Sequence, residues 1–212
     1  MSLPPSFSVA LELPGWELLW ARLATDPTNP AAGRVLREAM ARARARHGET
    51  LSAEHPTVAA VRRLFRVAGC DPTRYRPSSE ALLRRVLKGE DLPAIHPLVD
   101  LNNALSIELA VPACIMAAGS IEPPVTLRAG TPDEMMESLR GPFPLAGKPL
   151  LADAGGPFGT PITDSVRVKI QPGTTEGWLV AYLPAGVVSG EAAGRALREL
   201  AAAADVEVAI SA

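Results

Sequence analysis

The stretch Arg76–Pro112, RPSSEALLRRVLKGEDLPAIHPLVDLNNALSIELAVP, reads as two helices joined by a short connection marked by Pro93. The first has Ser78 or Ser79 at its start, with Glu80 close behind to help close the cap. Ala81, Leu82, Val86 and Leu87 form its apolar stripe. Arg84 and Arg85 fall near its far end, where cations suit the negative pole of the helix. Gly89 stops it. The second helix runs from His96 or Pro97 to Ala110 and ends before Pro112. Leu98, Val99, Leu101, Ala104, Leu105, Ile107 and Leu109 make it apolar nearly all round, which predicts a central position. Asp100, Asn102, Asn103 and Ser106 are its polar exceptions. Asp100 and Asn103 are three residues apart and can share a face.

Working outward, the N-terminal side reads mostly as helix. Residues 7–13, FSVALEL, alternate as a short strand does. Pro14 opens a predicted helix to Ala24 that carries Trp16, Leu19, Trp20 and Leu23 at spacings of three and four. Its apolar side suits either the core or a docked partner. DPTNP at 26–30 is a turn. Helices follow over Ala31–His47 and Glu54–Ala68, closed by Gly48 and Gly69. The loop DPTRYRP, 71–77, sets Tyr75 between Arg74 and Arg76. Such a triplet can hold a phosphate backbone and stack a base, and it can equally lock the loop onto the core.

After Pro112 the texture turns to short apolar pieces between Gly, Pro and Thr. Strands are predicted at 113–117, 125–128, 149–152, 165–170, 178–182 and 206–210. The piece 165–170 alternates Val166, Val168 and Ile170 against Arg167 and Lys169, as a half-exposed antiparallel strand would. PDEMMESL, 132–139, reads as a brief helix, and Ser189–Ala203 as a capped, alanine-rich one. Helices first and strands afterwards argue an α+β fold with an antiparallel or mixed sheet. With no linker, repeat or low-complexity tail, the 212 residues are expected to form a single domain.

Charge is unevenly spread over a chain of net charge −2. Residues 34–85 hold 12 Arg and five acids, whereas residues 86–212 hold eight basic and 15 acidic side chains. A basic half on a near-neutral protein suits a polyanion, and it also suits a solvated helical surface. ARARARH at 41–47 carries part of that charge around its helix, where it could meet phosphates or solvent. Two cysteines, Cys70 and Cys114, and no secretory signal point to a reducing, cytoplasmic setting. No run is long enough for a membrane span. The three histidines form no metal-ligand pattern, so no metal and no other cofactor is expected, and neither a membrane nor DNA is an expected partner.

The most pocket-like segment is the turn from Asp153 to Thr160. Gly155, Gly156 and Gly159 allow a ligand close to the backbone, whose amides suit a carboxylate, a phosphate or an oxyanion. Thr160 ends this turn. A second turn brings Thr174 and Thr175 as hydroxyls. Asp100, Asn103, Asp164 and Arg167 are the polar groups placed nearest the cavity, each equally readable as a cap or ion pair. No nucleophile stands beside an evident base, so any hydrolysis would use positioned water.

These residues carry a resemblance. The stretch from Arg76 resembles the B3/B4 domain of the phenylalanyl-tRNA synthetase beta subunit and its free-standing relatives. RPSSEALLRR and PLVDLNN are similar to the free-standing form. Asp100, Asn103, Glu108 and Pro112 match the synthetase pattern V-V-D-x-x-N-x-x-x-x-E-x-x-x-P. VTLRAG places Arg128 on the family's arginine. LAD at 151–153 resembles the strand before the glycine-rich loop. DSVRVKI matches Asp164, Ser165 and Arg167, with Thr174 or Thr175 near a later threonine.

The likeness is strongest over residues 55–185. It implies a B3/B4-like α+β fold and, from the synthetase domain's proofreading of mischarged tyrosyl-tRNA, contact with the aminoacyl end of tRNA. Asp100, Asn103 and Asp164 are the implied catalytic groups. Arg76, Arg128, Arg167, the glycine turn and the two threonines are expected to hold substrate. Arg74, Tyr75, Arg84 and Arg85 are expected to hold RNA. After the proline the family has M-H-x-F-D or G-G-Y-D, whereas Ala113–Ala117 reads ACIMA, so the implied hydrolysis loses those hydrogen-bonding groups. Two alternatives stay open, a non-catalytic module for an amino-acid-like ligand and a docking domain for a protein.

Overall fold

The computed structural model describes residues 9–210. The elements run β1 (Val9–Leu11), β2 (Trp16–Ala24), α1 (Ala31–His47), α2 (Pro56–Val67), α3 (Ser78–Leu87) and α4 (Pro97–Leu109). Strands β3 (Ala113–Ala117), β4 (Val125–Ala129), β5 (Met135–Ser138), β6 (Gly141–Pro144), β7 (Pro149–Asp153), β8 (Gly156–Gly159) and β9 (Glu176–Pro184) follow. Helix α5 (Gly190–Ala203) and strand β10 (Glu207–Ile210) complete them. The fold is α+β, as the element order predicts.

One antiparallel sheet, ordered β10-β2-β9-β3, occupies the middle. Helices α1, α3, α4 and α5 cover one face, where Leu19, Leu23, Ile115, Leu179 and Leu183 meet Leu36, Leu83, Leu101, Leu105 and Leu197. A second sheet, β1-β4-β7-β8, joins α2 on the other face. There Trp16, Trp20, Trp178 and Tyr182 pack against Phe65, Leu127, Leu151 and Phe158. Strands β5 and β6 form a separate hairpin, seated on Leu145 and Leu150 through Met136 and Phe143.

The sandwiching of the middle sheet explains one departure from the sequence reading. Trp16–Ala24 is a strand, not a helix. A strand buried on both faces is apolar throughout, so Trp16 and Trp20 pack on one side and Leu19, Ala21 and Leu23 on the other. The resulting spacing of three and four imitates a helical stripe. Both tryptophans are about 5% exposed or less, which removes them as a docking face. Residues 132–139 are likewise not helical. Met136 and Ser138 are buried between exposed Met135 and Glu137, the period-two pattern of β5. Residues 165–170 form no strand either: Ser165 accepts from the Arg167 N–H and starts a 3₁₀ turn over Val166–Val168. Of the strand expected at residues 7–13, residues 7 and 8 lie outside the described part.

Helix starts and stops follow the sequence with one exception. Gly69 and Gly89 take positive φ just past α2 and α3, as C-terminal glycines do. Ser189 accepts from the Ala192 N–H at the start of α5. At α3 no serine caps. Pro77 takes that position, and the Ser78 N–H donates to the Pro161 carbonyl instead. That bond ties α3 to the loop after β8. Cys70 and Cys114 are free thiols, both buried. Among the described residues, no helix is long and apolar enough to cross a membrane.

Leu105 faces the helix-sheet core with no exposure, whereas Val67 is 61% exposed. Leu105→Ala is expected to lower unfolding free energy by about 2–5 kcal/mol and Val67→Ala by less than about 0.5 kcal/mol. Urea titrations followed by circular dichroism measure both.

Candidate functional site

A cavity of about 650 Å³ opens where α3, α4, the start of β3, the β5–β6 hairpin and the loop after β8 meet. Its depth is apolar, lined by Leu82, Val99, Ile115, Ile162 and Ile170. Its polar lining includes Asn102, Asn103, Thr163 and Asp164. Arg74, Arg76, Arg85, Arg140 and Lys169 also reach it, making five cations against one carboxyl. Tyr75 and Phe143 complete an aromatic wall, edge to face at 6.0 Å.

The wall and one arginine are held from behind. Lys148, only 3% exposed, sets its Nζ 3.7 Å from the Tyr75 ring centroid and 5.4 Å from that of Phe143. A cation so placed binds the negative faces of the rings. Glu80 takes two hydrogen bonds of 2.8 Å from Arg62, and its Oε1 lies 3.4 Å from Arg76 Nε. The buried carboxylate thereby holds Arg76 by an ion pair, without a hydrogen bond to Nε. Arg140 and Lys169 have no carboxylate within ion-pair distance among the described residues, while Arg85 pairs with Glu90 at 2.8 Å.

Asp164 lies between the cavity and the second core. Its carbonyl accepts from the Leu139 N–H of the loop closing the hairpin, and the next N–H, that of Ser165, donates to Phe158 on β8. This pins the backbone on both sides. Asp164 Oδ1 is buried without a hydrogen-bond partner. Behind it lie the Cys114 thiol and the Tyr182 hydroxyl, 3.6 Å apart. A Cβ at residue 159 would sit 3.4 Å from Asp164 Oδ1 and 3.6 Å from each of the other two; Gly159 leaves room for the cluster. Burial pushes the Asp164 carboxyl up to about 7 and the Cys114 thiol well above its usual range. Cys114 is therefore a thiol, not a thiolate nucleophile.

The other expected site residues divide sharply. Asn103, Asp164, Arg74, Tyr75, Arg76 and Arg85 all line the cavity. Asp100 does not: it is 3% exposed and accepts from the Ile95 N–H at 2.9 Å, closing the start of α4. Arg84 is exposed on α3 and outside the cavity lining. Arg128 is spent on Glu134 in a two-pronged pair of 2.8 and 2.5 Å. Arg167 pairs with Asp153 at 2.8 Å and donates to the Ser120 carbonyl at 2.9 Å.

That Arg167–Asp153 pair also closes the glycine turn. The Gly155 N–H donates to Asp153 Oδ1, and the Gly156 carbonyl accepts from Arg167, so both groups are used within the protein. Thr160 turns inward, accepting from the Ile162 and Thr163 N–H groups. Thr174 accepts from the Gln171 N–H and closes a turn, and the Thr175 carbonyl accepts from the Thr25 N–H, extending the pairing of β2 with β9. Arg42 and Arg46 clamp Glu108, and Arg44 pairs with Asp91. Much of the arginine-rich end of α1 is thus engaged within the protein.

Arg140, Lys169, Phe143 and Thr163 are site residues that the sequence reading misses. They lie in segments read as turn, strand or loop, and only the hairpin's fold over α3 brings them together. Asn102 is also missed, although its neighbour Asn103 was chosen. No metal-holding group of three or more His, Cys, Asp or Glu residues occurs among the described residues.

The family model described as the B3/4 domain matches residues 60–203. The chain belongs to the B3/4 domain family. The match takes in the whole Arg76–Pro112 stretch whose motifs suggested it and reaches through α5. No curated protein matches the chain. Among solved structures, this B3/4 chain is similar to the crystal structure of an N-terminal fragment of the phenylalanyl-tRNA synthetase beta-subunit from Pyrococcus horikoshii. The TM-score is 0.49 at 12% identity, covering 98% of this chain and 52% of that one. The chain thus spans about half the length of that fragment.

Asp164 holds its proton in the folded state at pH values where an unfolded aspartate has lost it. Stability should therefore fall as pH rises from about 4 to about 7 and level off above. Asp164→Asn removes this loss. Urea unfolding is expected to show the variant more stable than wild type by about 1–3 kcal/mol at pH 8, with the gain shrinking toward pH 4.

Proposed function

We propose that the cavity receives the aminoacyl end of a tRNA. The amino-acid side chain enters the apolar depth, the terminal base stacks on the Tyr75–Phe143 wall, and phosphates meet the rim cations. One observation carries this reading: an apolar cavity of ligand size shares its lining with five cations, of which only Arg76 and Arg85 are paired with a carboxylate among the described residues. Aromatic rings beside cations are the usual means of holding single-stranded RNA. Membership of the B3/4 family supports it as well.

Hydrolysis of the ester is not required for this reading. Where it occurs, water held by Asn103 and Thr163 is the nucleophile, because the Cys114 thiol is buried and kept protonated. Asp100 has no part, since its carboxylate is bonded to backbone. The alternative is a small amino-acid-like ligand without RNA, which the cavity volume fits equally. The rim separates the two readings, because a free apolar amino acid offers its α-carboxylate as its one anionic group.

Filter binding of a charged tRNA pool tests the proposal. Affinity should fall roughly tenfold or more between 50 and 200 mM salt. Arg140→Ala and Lys169→Ala should each flatten the salt slope by roughly 0.7–1. A panel of mischarged tRNAs assayed for ester loss reports any turnover. Absence of RNA binding at low salt, or slopes unchanged in both variants, rejects the RNA reading.

A further inference from the structure

Outside the cavity, α2 and α3 carry cations that no acid neutralises among the described residues. Residues 61–88 hold eight basic side chains against two acids, Asp71 and Glu80. Glu80 takes up Arg62 and Arg76. Asp71 accepts from the Thr73 N–H and also attracts Arg62. Arg63 and Arg66 on α2 and Arg84 on α3 are exposed. None of the three has a carboxylate within ion-pair distance among the described residues.

Their position is tied to the cavity through Glu80. Its carboxylate receives Arg62 from α2 at 2.8 Å and lies 3.4 Å from Arg76, which lines the cavity. The side of α2 that bears Arg62 thus meets the side of α3 that bears Glu80. Arg66 stands one turn beyond Arg62, and Arg84 one turn beyond Glu80, and residues four apart share a helix face. Arg63 follows Arg62 on the outward side of α2, where Ala59, Arg63, Arg66 and Val67 are exposed. The free cations therefore continue outward from the Arg74–Arg76 end of the cavity.

We propose that Arg63, Arg66 and Arg84 form a phosphate-binding surface for the base-paired stem that precedes the RNA end held in the cavity. It rests on the proposed function and adds a second contact region to it. The residue types favour a paired stem over more single strand. Single strands are held by aromatic rings beside cations, and here the rings Tyr75 and Phe143 line the cavity. The outer stripe of α2 offers none, because Phe65, the one aromatic residue of that helix, is fully buried. Paired RNA keeps its bases stacked and is met mostly through its shape, phosphates and ribose hydroxyls. Guanidinium groups bind phosphates without the help of a ring.

Fluorescence anisotropy on the whole protein tests this with two RNAs. One is a hairpin minihelix ending in the unpaired CCA of a tRNA, and the other is that unpaired end alone. Both carry leucine through a stable 3′-amide. At 50 mM salt the minihelix is expected to bind about tenfold or more tighter than the end alone, with a salt slope steeper by roughly 2. Arg63→Ala/Arg66→Ala should weaken the minihelix about fivefold or more and flatten its slope by roughly 1.5, and leave the end alone within about twofold. Arg84→Ala should flatten the minihelix slope by roughly 0.7–0.9. Arg140→Ala should weaken both RNAs. Arg195→Ala/Arg198→Ala removes the same charge from α5, on the opposite face of the middle sheet from α2, and should leave both RNAs within about twofold. Melting curves check that each variant folds, as substitutions of exposed residues allow.

A minihelix that binds no tighter than the end alone overturns the stem surface. So do equal losses in the α2 and α5 variants, or equal losses of both RNAs in the α2 variant. If Arg140→Ala still weakens the end alone beside any of these results, the proposed function stands and only the stem surface is removed. Binding of neither RNA at low salt removes both.

Discussion

The structure depends on a middle sheet buried on both faces. Strand β9 is buried from Gly177 to Pro184, paired by β2 along its full length on one side and by β3 on the other. With helices on one face and a second sheet on the other, no part of β9 can turn to water, and its alternation fills two cores. This double burial fixes β3 beside it. The cavity opens around the start of β3, where Ala113 and Ile115 face α4 and Cys114 faces the second core. A groove at the junction of three layers gains rigid walls from each.

Charge is distributed by the same geometry. Most of the arginines that make residues 34–85 basic are engaged. Arg42 and Arg46 hold Glu108, Arg44 reaches the carbonyls of Val86 in the last turn of α3 and of Glu90 beyond it, and Arg62 holds Glu80. Such pairs in part-exposed positions add little stability individually, yet they consume the charge that composition alone would assign to a polyanion. The cations left for a ligand in the cavity come from both halves of the chain: Arg74 and Arg76 from the loop before α3, Arg140 from the hairpin, and Lys169 from the segment before β9. Lys148 and Glu80 act one step behind them, on the aromatic wall and on Arg76.

Local rules made much of this legible beforehand. The helices α1 to α4, the glycines that end the first three and the proline boundaries follow from capping and periodicity, which act within a few residues. RPSSEALLRR and PLVDLNN carried the family, and Asn103, Asp164 and the Arg74–Tyr75–Arg76 triplet did reach the cavity. The errors share one cause. Trp16–Ala24 looked helical because both sides of a sandwiched strand are apolar. Arg128, Arg167 and the glycine turn looked free because the partners Glu134 and Asp153 are polar residues whose pairing is set by three-dimensional approach.

Asp100 and Asn102 show the division most closely. They sit two positions apart on α4, and both were visible as polar exceptions on an apolar helix. A residue's type and its place along a helix are properties of the chain, so the sequence alone determined that α4 would be buried, polar in places and bounded by prolines. Which polar side chain caps the backbone and which enters the cavity depends on the neighbours packed around each. The turn at Ile95 claims Asp100, while the start of β3 holds Asn102 at the cavity wall. Only the tertiary structure could decide that, because those neighbours come from different elements and hydrogen bonding is decided by approach within about 3.5 Å.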